Sequence, residues 1–338
     1  MKHILKNIQE IPTLPAVFNA VMDCVEDPDA TPRDLALIIR KDQALSAKVL
    51  KTTNSALYGF SRRIASVDEA IVLLGMNQTA NLAITAMLLN TLVDTSAAGR
   101  KPEDLWIHSL GTAYIAQALG ECIQAKGGTL GKSAAKTFGS TAAVATSGAD
   151  VEQSPRLRVP TESVATITPR RSAISFQKLF TYSIIHDIGL VALYLQFPDH
   201  YVTVYDAIPE FGSFHQAELE LLEVDHCQLG YRIAQAWRLP EPIPTVIAEH
   251  HLPQLWQNEI TDQDQLSGLL NQDPLITLIS LAELLTRHGE IGITLDPDPP
   301  TIPSVLLETL GLDEDDLANV IGQIDSIKEK SEAFFSSM

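Results

Sequence analysis

Apolar residues repeat with the 3.6-residue period of an α-helix along most of the chain, and this periodicity limits the possible folds more than any other feature. The strict alternation of apolar and polar residues that is typical of strands is scarce. Helix starts are also well marked. Thr31 supplies a capping hydroxyl ahead of Pro32, and the stretch from Ser66 to Glu69 has the sequence of a capping box. The sequence therefore predicts an all-α protein, with about five short helices in residues 1–90.

The helical pattern divides the chain into three predicted regions. Residues 1–100 form an N-terminal helical subdomain, which packs on a helical bundle formed by residues 101–290. Residues 291–338 form an acidic helical extension, whose last helix runs from about Glu314 to Phe334. No repeat of fixed period is found along the chain, so these regions are expected to differ in structure.

A segment of different composition interrupts the bundle at residues 126–171. It is rich in Ser, Thr, Gly and Ala, and its one aromatic residue is Phe138. Such a segment buries too little apolar surface to offset the entropy lost on ordering, so we predict a disordered insertion. It carries seven basic and three acidic residues in a chain whose net charge is −18. It is either a solvated insertion without a role or a tether that docks on an acidic surface, of the protein itself or of a partner.

Composition narrows the functional classes. Hydrophobic residues make up 45% and charged residues 20% of the chain, which is typical of a globular protein. The net charge of −18 argues against general nucleic-acid binding, because contacts with the phosphate backbone need a basic surface. Cys24, Cys122 and Cys227 lie far apart and match no disulfide or zinc pattern, which indicates a reducing, cytoplasmic compartment. We expect no signal peptide, and no stretch of about 18 uncharged apolar residues that could span a membrane.

One short apolar run raises the question of what satisfies its polar residues. In SIIHDIGLV, from Ser183 to Val191, His186 and Asp187 lie side by side among apolar residues, and burial of a charged group without a partner is costly. Gly189 follows them inside a predicted helix, where glycine costs about 1 kcal/mol relative to alanine. A neighbouring element is therefore expected to pack closely at this glycine.

Other histidines and carboxylates also fall on the apolar stripes of predicted helices. Helical spacing turns six metal-capable residues toward the core from five helices, and a seventh lies beside them. The six are His108, His186, Asp187, His226, His250 and Glu283, and the seventh is His251. A single inward histidine is usually satisfied by a hydrogen bond, but every member of so large a set needs a partner. Convergence on one or two metal ions would satisfy them together, and imidazole with carboxylate suits iron, manganese, zinc or nickel.

These residues resemble the HD superfamily of metal-dependent phosphohydrolases, through His108, the IIHDIG stretch and the later HH pair. Two longer stretches are similar to the HDOD domain of that superfamily. They are Ile11 to Phe60, which contains NSALYG and is followed by IASVDEAIVLLG, and Val224 to His251, which contains AWRLP. The resemblance extends over about residues 8–290 apart from the insertion. It implies a bacterial regulatory protein in which N-terminal helices pack on an HD-like helical bundle.

The resemblance also implies a set of metal ligands. The positions that match ligands of the related HD-GYP branch, which hydrolyses cyclic di-GMP, are His186, Asp187, His226, His250 and His251. His108 is a further candidate, and Glu283 stands where an aspartate is usual. One or two transition-metal ions are expected, with iron or manganese favoured over zinc or nickel.

Two features depart from the catalytic relatives. Their HDIG motif is commonly followed by a lysine, which can stabilise phosphate charge, whereas Leu190 follows it here. Loss of one positioned donor of this kind typically lowers a rate by about 10²- to 10³-fold. The GYP stretch of the cyclic-di-GMP branch is also not found. The metal is therefore expected to remain as a structural clamp without turnover.

Three functions stay open. The resemblance favours a non-catalytic signalling module that binds partners such as sensor kinases, response regulators or gene-control proteins. Its partner or ligand site would be formed by NSALYG, although these residues would equally serve to end a helix; they include Asn54, Ser55, Tyr58 and Gly59. The first alternative is a metal-dependent phosphohydrolase of nucleotides or cyclic dinucleotides. The second is a metal-free scaffold whose histidines pair with carboxylates.

Overall fold

The computed structural model describes residues 14–91, 102–128, 176–251, 273–293, 295 and 302–338. Within these ranges the chain forms helices joined by turns and contains no strand, so the predicted all-α class is confirmed. Of the predicted insertion at 126–171, the described residues include Lys126 to Gly128, and the rest lies outside them.

Five helices form the N-terminal part, as the sequence predicts. They are α1 (Ala16–Glu26), α2 (Pro32–Arg40), α3 (Gln43–Thr53), α4 (Val67–Leu74) and α5 (Met76–Thr91). At the start of α2, the Thr31 hydroxyl accepts from the Asp34 amide, and the Asp34 carboxylate accepts from the Thr31 amide. At α4 the Ser66 hydroxyl accepts from the Glu69 amide, but the Glu69 carboxylate binds the amide of Ala65 instead of that of Ser66. α5 then packs against α1, α3 and α4.

The second group contains the long helix α6 and eight further helices within the described ranges. They are α6 (Pro102–Ala125), α7 (Leu179–Ile184), α8 (Ile188–Gln196), α9 (Pro198–Asp206), α10 (Ile208–Phe211), α11 (Phe214–Leu222), α12 (His226–Ala236), α13 (Ile243–Glu249) and α14 (Pro274–His288). α6 packs against α7 and α14, while α12 packs against α8 and α13. These contacts form the helical bundle on which the N-terminal helices pack, so this part of the predicted fold is also confirmed.

Side chains of α7 join the N-terminal helices to the bundle. The Thr181 hydroxyl donates to Asn81 Oδ1 on α5 at 2.9 Å. The Tyr182 hydroxyl donates to Glu26 Oε1, at the end of α1, at 3.0 Å. Lys178 pairs with the same Glu26 carboxylate. α7 therefore connects the N-terminal helices to the segment that leads directly to the His-Asp pair.

The C-terminal part contains α15 (Ser304–Leu310), α16 (Glu314–Ile321) and α17 (Ile324–Ser337). The sequence predicts one helix from about Glu314 to Phe334, whereas the structure has two: α16 ends at Ile321 and α17 begins at Ile324, with Gly322, a poor helix former, at the junction. α17 packs against α6 and α3, and it buries Phe334, which is 2% exposed. The C-terminal residues thus contact both the bundle and the N-terminal helices.

One described stretch is long and apolar enough to cross a membrane, although the sequence analysis expects none. Leu179–Gln196 has a mean hydropathy of 1.3, but 94% of it is buried inside the protein. It contains α7 and α8, whose apolar composition reflects their place in the core. The three cysteines are free thiols.

Candidate metal centre

The seven residues that the sequence analysis singles out come from five parts of the fold and meet in one buried cluster. His108 lies on α6, the His186-Asp187 pair between α7 and α8, His226 at the start of α12, the His250-His251 pair after α13, and Glu283 on α14. None of the seven is more than 6% exposed. The ring centroids of His186 and His250 are 4.9 Å apart, and those of His108 and His186 are 5.8 Å apart. Separate helices therefore bring their imidazoles and carboxylates to one point.

The His-Asp pair lies at a break between two helices. The pair and Gly189 are predicted to lie inside one helix, but α7 ends at Ile184 and α8 begins at Ile188. The break allows His186 Nδ1 to donate to the Ser183 carbonyl at 2.6 Å, since a carbonyl oxygen can only accept. His250 Nδ1 donates in the same way to the Ile247 carbonyl at 2.9 Å. Both rings therefore turn Nε2 toward the cluster.

Asp187 lies at the centre of the cluster, and four imidazoles surround its carboxylate. The Nε2 atoms of His186 and His108 lie 3.3 and 3.5 Å from its Oδ2. Those of His250 and His226 lie 3.2 and 3.7 Å from its Oδ1. One buried carboxylate thus faces four nitrogen donors from four parts of the chain.

Glu283 lies on the other side of the histidine pair. Its Oε2 is 3.6 Å from His251 Nδ1 and 3.9 Å from His250 Nε2. Its Oε1 is 2.8 Å from the guanidinium of Arg287, which is itself only 5% exposed. His251 Nε2 is also 2.8 Å from His226 Nε2. Glu283 therefore compensates the charge of the buried Arg287 through Oε1, while its Oε2 stays near His250 and His251.

Close backbone contact between α8 and α12 positions two of these side chains. A Cβ atom on Gly189 would lie 1.9 Å from the His226 carbonyl oxygen and 2.6 Å from the Gly230 amide nitrogen. Such distances leave no room for any side chain at this position. The close approach predicted from Gly189 is therefore present, and it holds the His186-Asp187 pair against the start of α12.

Burial and neighbouring charges set the ionisation of the cluster. Burial lowers the pKa of His108 to about 4, so this imidazole is neutral near pH 7. Burial, together with His250 and His226, also holds the pKa of His251 well below its ordinary value. Burial alone would raise the pKa of Asp187, but the neighbouring His186 and His250 hold it well below the ordinary value. Burial would lower the pKa of His226, but Glu218 and Cys227 hold it well above the ordinary value. Burial would likewise lower the pKa of His250, which Cys227 and Asp187 hold well above the ordinary value. Neutral His108 and His251 therefore lie in the same cluster as an ionised Asp187.

The donor set fits a transition-metal ion. Both ring nitrogens of His108 and the Nε2 of His186 are buried without a hydrogen bond, although burial of such atoms is costly. An ion beside Asp187 would satisfy the Nε2 atoms of both rings. In each of three groups of residues, one possible ligand atom per residue lies within 4.8 Å of those of the other members. The groups are His108-His186-Asp187, His186-His250-Glu283 and His226-Cys227-His250-His251. Imidazole and carboxylate donors at these separations suit one or two ions of the first transition row.

Three buried polar residues in and around the cluster are not predicted from the sequence. Glu218 on α11 is fully buried and accepts from His226 Nδ1 at 2.5 Å. Cys227 places its Sγ 3.9 Å from both ring nitrogens of His250, and Arg287 pairs with Glu283. A signal for Glu218 was available, because it follows Phe214 by four residues on the stripe of α11 that faces the core.

The NSALYG residues, from Asn54 to Gly59, lie at the end of α3 and not in the cluster. The Asn54 amide donates to the carbonyls of Leu50 and Ile64 and accepts from the amide of Ile64. Tyr58 stacks on Phe60 with ring centroids 6.3 Å apart, and burial raises the pKa of Tyr58 to about 12. Gly59 has a positive φ of 60°. These contacts end α3 and order the following loop, so NSALYG has the helix-ending role that its sequence also allows.

Comparison with known proteins agrees with this architecture. The family model of the HDOD domain matches residues 11–132 and 156–253, which is more than half of the chain. A curated relative, an uncharacterized protein of Treponema pallidum (strain Nichols), is 24% identical over 249 residues. The match covers 73% of this chain but only 39% of that relative, so the chain spans much less than half of the relative's length.

Solved structures share the fold at low sequence identity. An HDOD domain protein of unknown function from Geobacter sulfurreducens has a TM-score of 0.69 and 20% identity, over 98% of this chain and 96% of that one. A candidate signal transduction protein from Marinobacter aquaeolei VT8 has a TM-score of 0.66 and 19% identity, over 98% and 60%. A candidate phosphohydrolase from Shewanella amazonensis SB2B has a TM-score of 0.62 and 18% identity, over 99% and 97%. Because the family model matches most of the chain, this protein belongs to the HDOD family.

Proposed function

We propose that this protein is a cytoplasmic HDOD regulatory module, which acts by binding signalling partners and holds a buried metal centre without turning over a substrate. Membership of the HDOD family supports the regulatory role, as does the shared fold of the candidate signal transduction protein from Marinobacter aquaeolei. The partners would be sensor kinases, response regulators or gene-control proteins. NSALYG, whose contacts order the loop after α3, is the proposed partner surface on the N-terminal helices.

The metal would be held by the imidazoles around Asp187 and by the Asp187 carboxylate itself. One or two iron or manganese ions are the proposed occupants, and zinc or nickel would suit the same donors. When bound in such a site, a transition metal supplies Lewis-acid character and positive charge. In this protein, the donors that surround the site come from five parts of the bundle, so the centre would clamp those helices together. His251 and Glu283 complete the proposed ligand set.

Two observations support a clamp without turnover. Leu190, which replaces the lysine expected after HDIG in catalytic relatives, is fully buried in α8 and offers no charge to a phosphate group. The seven donors are also nearly closed to solvent within the described residues. A hydrolytic centre needs an open position for substrate and water. The geometry therefore favours a structural centre.

The observation that carries the proposal is the group of four Nε2 atoms around one buried carboxylate. Its test is the metal content of protein purified without chelators, determined by elemental analysis. We expect one or two transition-metal ions per chain, and we expect His186→Ala to lose them. His288→Ala is the matched control, because His288 is exposed at the end of α14 and should leave the metal content unchanged. A metal-free wild-type protein would contradict the proposal.

A second candidate function is favoured by the donor set itself and by the fold shared with the candidate phosphohydrolase of Shewanella amazonensis. It is the hydrolysis of nucleotides or cyclic dinucleotides. Incubation of the metal-loaded protein with cyclic dinucleotides and nucleotide phosphates, in the presence of manganese or iron, separates the two functions. We expect no turnover above that of His186→Ala. Turnover that depends on His186 would instead establish the enzyme.

A further inference from the structure

A buried carboxylate outside the predicted ligand set holds one of its members. Glu218 lies on α11, is fully buried, and belongs to neither the HDIG stretch nor the later HH pair. Its Oε2 accepts from the His226 backbone amide at 3.1 Å and from His226 Nδ1 at 2.5 Å. Glu218 thus binds both the backbone and the ring of the first residue of α12.

These two contacts determine how the His226 ring faces the cluster. A carboxylate oxygen can only accept, so Nδ1 of His226 carries the proton. The opposite nitrogen, Nε2, then points away from Glu218, 3.7 Å from Asp187 Oδ1 and 2.8 Å from His251 Nε2. In a neutral imidazole protonated at Nδ1, Nε2 is the atom that can bind a metal.

We propose that Glu218 is the positioning residue of this centre, which holds the His226 ring so that Nε2 is presented to a transition-metal ion beside Asp187. This inference rests on the metal centre proposed above and adds a residue that acts through a ligand. Metal-bound histidines commonly donate their second nitrogen to a carboxylate, and loss of that partner typically weakens metal binding by about 10- to 100-fold.

Helix capping alone does not explain Glu218. The start of α12 already has a cap, because the Asp225 carboxylate accepts from the Gln228 amide at 2.7 Å. The second oxygen of Glu218, Oε1, is buried without a hydrogen bond, which is costly for a carboxylate that serves packing only. The short contact with the ring nitrogen is therefore the feature that accounts for a buried acid at this position.

The affinity for Zn²⁺, measured by competition with a chromophoric chelator, tests the role in the full chain. Glu218→Ala is expected to bind Zn²⁺ about 10- to 100-fold more weakly than the wild type. Glu218→Gln should recover most of the affinity, because its amide oxygen can still accept from Nδ1. Glu220→Ala is the control on the same helix, since Glu220 is exposed and its carboxylate accepts from the Gln216 side chain one turn earlier. It should bind Zn²⁺ like the wild type.

A spectroscopic measurement on the metal-free protein separates positioning from a loss of folding. In protein labelled with ¹⁵N-histidine, the His226 Nδ1–H should give a slowly exchanging signal, assigned by its loss in His226→Asn. We expect the signal to persist in Glu218→Gln and to vanish in Glu218→Ala, while the backbone spectrum stays folded. Absence of the signal from the wild type would overturn the inference.

Affinity for Zn²⁺ distinguishes failure of the positioning role of Glu218 from failure of the metal centre itself. If Glu218→Ala binds Zn²⁺ as tightly as the wild type while His186→Ala does not, the positioning role is wrong and the metal centre stands. If the wild type has no measurable affinity for Zn²⁺, both proposals fail. Weak binding by both Glu218→Ala and Glu218→Gln, with the Nδ1–H signal kept in the latter, would show that charge and not orientation is what Glu218 provides, which also overturns the inference.

Discussion

At the scale of single residues, the charge balance of the cluster depends on the ion pair between Glu283 and Arg287. Both side chains are almost completely buried, and their charged atoms lie 2.8 Å apart. Removal of one member of a buried pair leaves the other charge without compensation, at a cost of about 3–5 kcal/mol. We therefore expect Glu283→Ala to lower the free energy of unfolding by about that amount, measured by urea denaturation in the presence of a chelator.

The double variant Glu283→Met with Arg287→Met is the control for this prediction. It replaces both charges by apolar side chains of similar length, and such replacements of buried pairs are often nearly neutral. Its loss of stability should therefore be smaller than that of Glu283→Ala. A double variant that is less stable than Glu283→Ala would show that the pair is not what holds these helices together.

The close contact of α8 with α12 gives a second prediction at this scale. Gly189→Ala would place a Cβ atom 1.9 Å from a backbone oxygen, which a side-chain rotation cannot relieve. We expect the free energy of unfolding to fall by about 1–3 kcal/mol. We also expect the variant to lose bound metal. Gly322→Ala is the matched control. At Gly322 the φ angle is −62° and the nearest atoms are 3.4 Å from a new Cβ, so its stability should be unchanged or slightly higher.

At the scale of helices, the sequence predicts which way a side chain faces better than it predicts where its helix lies in the fold. Helical spacing places His108 and Glu283 on core-facing stripes, and the structure has both residues buried on α6 and α14. The break at His186 is not visible in the sequence, because the apolar run continues through it and the turn is stabilised by the Ser183 carbonyl. Periodicity also cannot predict that these side chains meet, because that depends on how helices far apart in the chain pack. The spacing of Glu218 after Phe214 turns it toward the core, but a single acid on an amphipathic helix usually faces solvent, so spacing alone does not single it out.

The start of α12 is stabilised by an N-cap next to a proposed metal ligand. Asp225 caps this helix, and the next residue is His226. Loss of an N-cap side chain typically costs about 1 kcal/mol, so we expect Asp225→Ala to lower the free energy of unfolding of the metal-free protein by about that amount. Asp225→Asn keeps a capping oxygen and should lose little. Equal losses in the two variants, measured by chemical denaturation, would mean that the charge of Asp225 matters more than its cap.

At the scale of the whole molecule, the N-terminal helices and the bundle share several connections. α7 binds α1 and α5 through Tyr182 and Thr181, and α17 packs against both α3 and α6. α6 carries His108, and α7 leads into His186, so each connection reaches a helix or turn that supplies the cluster. A partner that binds the N-terminal helices would therefore act on elements that are continuous with the candidate metal centre, and this continuity supports the proposed regulatory role.

The same connections predict that the protein unfolds as one unit. Phe334 is the most buried aromatic residue of α17, and the truncation of a buried phenylalanine to alanine typically costs about 3–5 kcal/mol. We expect Phe334→Ala to lower the midpoint of a single transition, with far-UV circular dichroism and the tryptophan fluorescence, to which buried Trp106 and Trp237 contribute, changing together. Phe335→Ala, next to it but only half-buried, should have a smaller effect. If the two signals separate in Phe334→Ala, α17 unfolds independently and does not couple the N-terminal helices to the candidate metal centre.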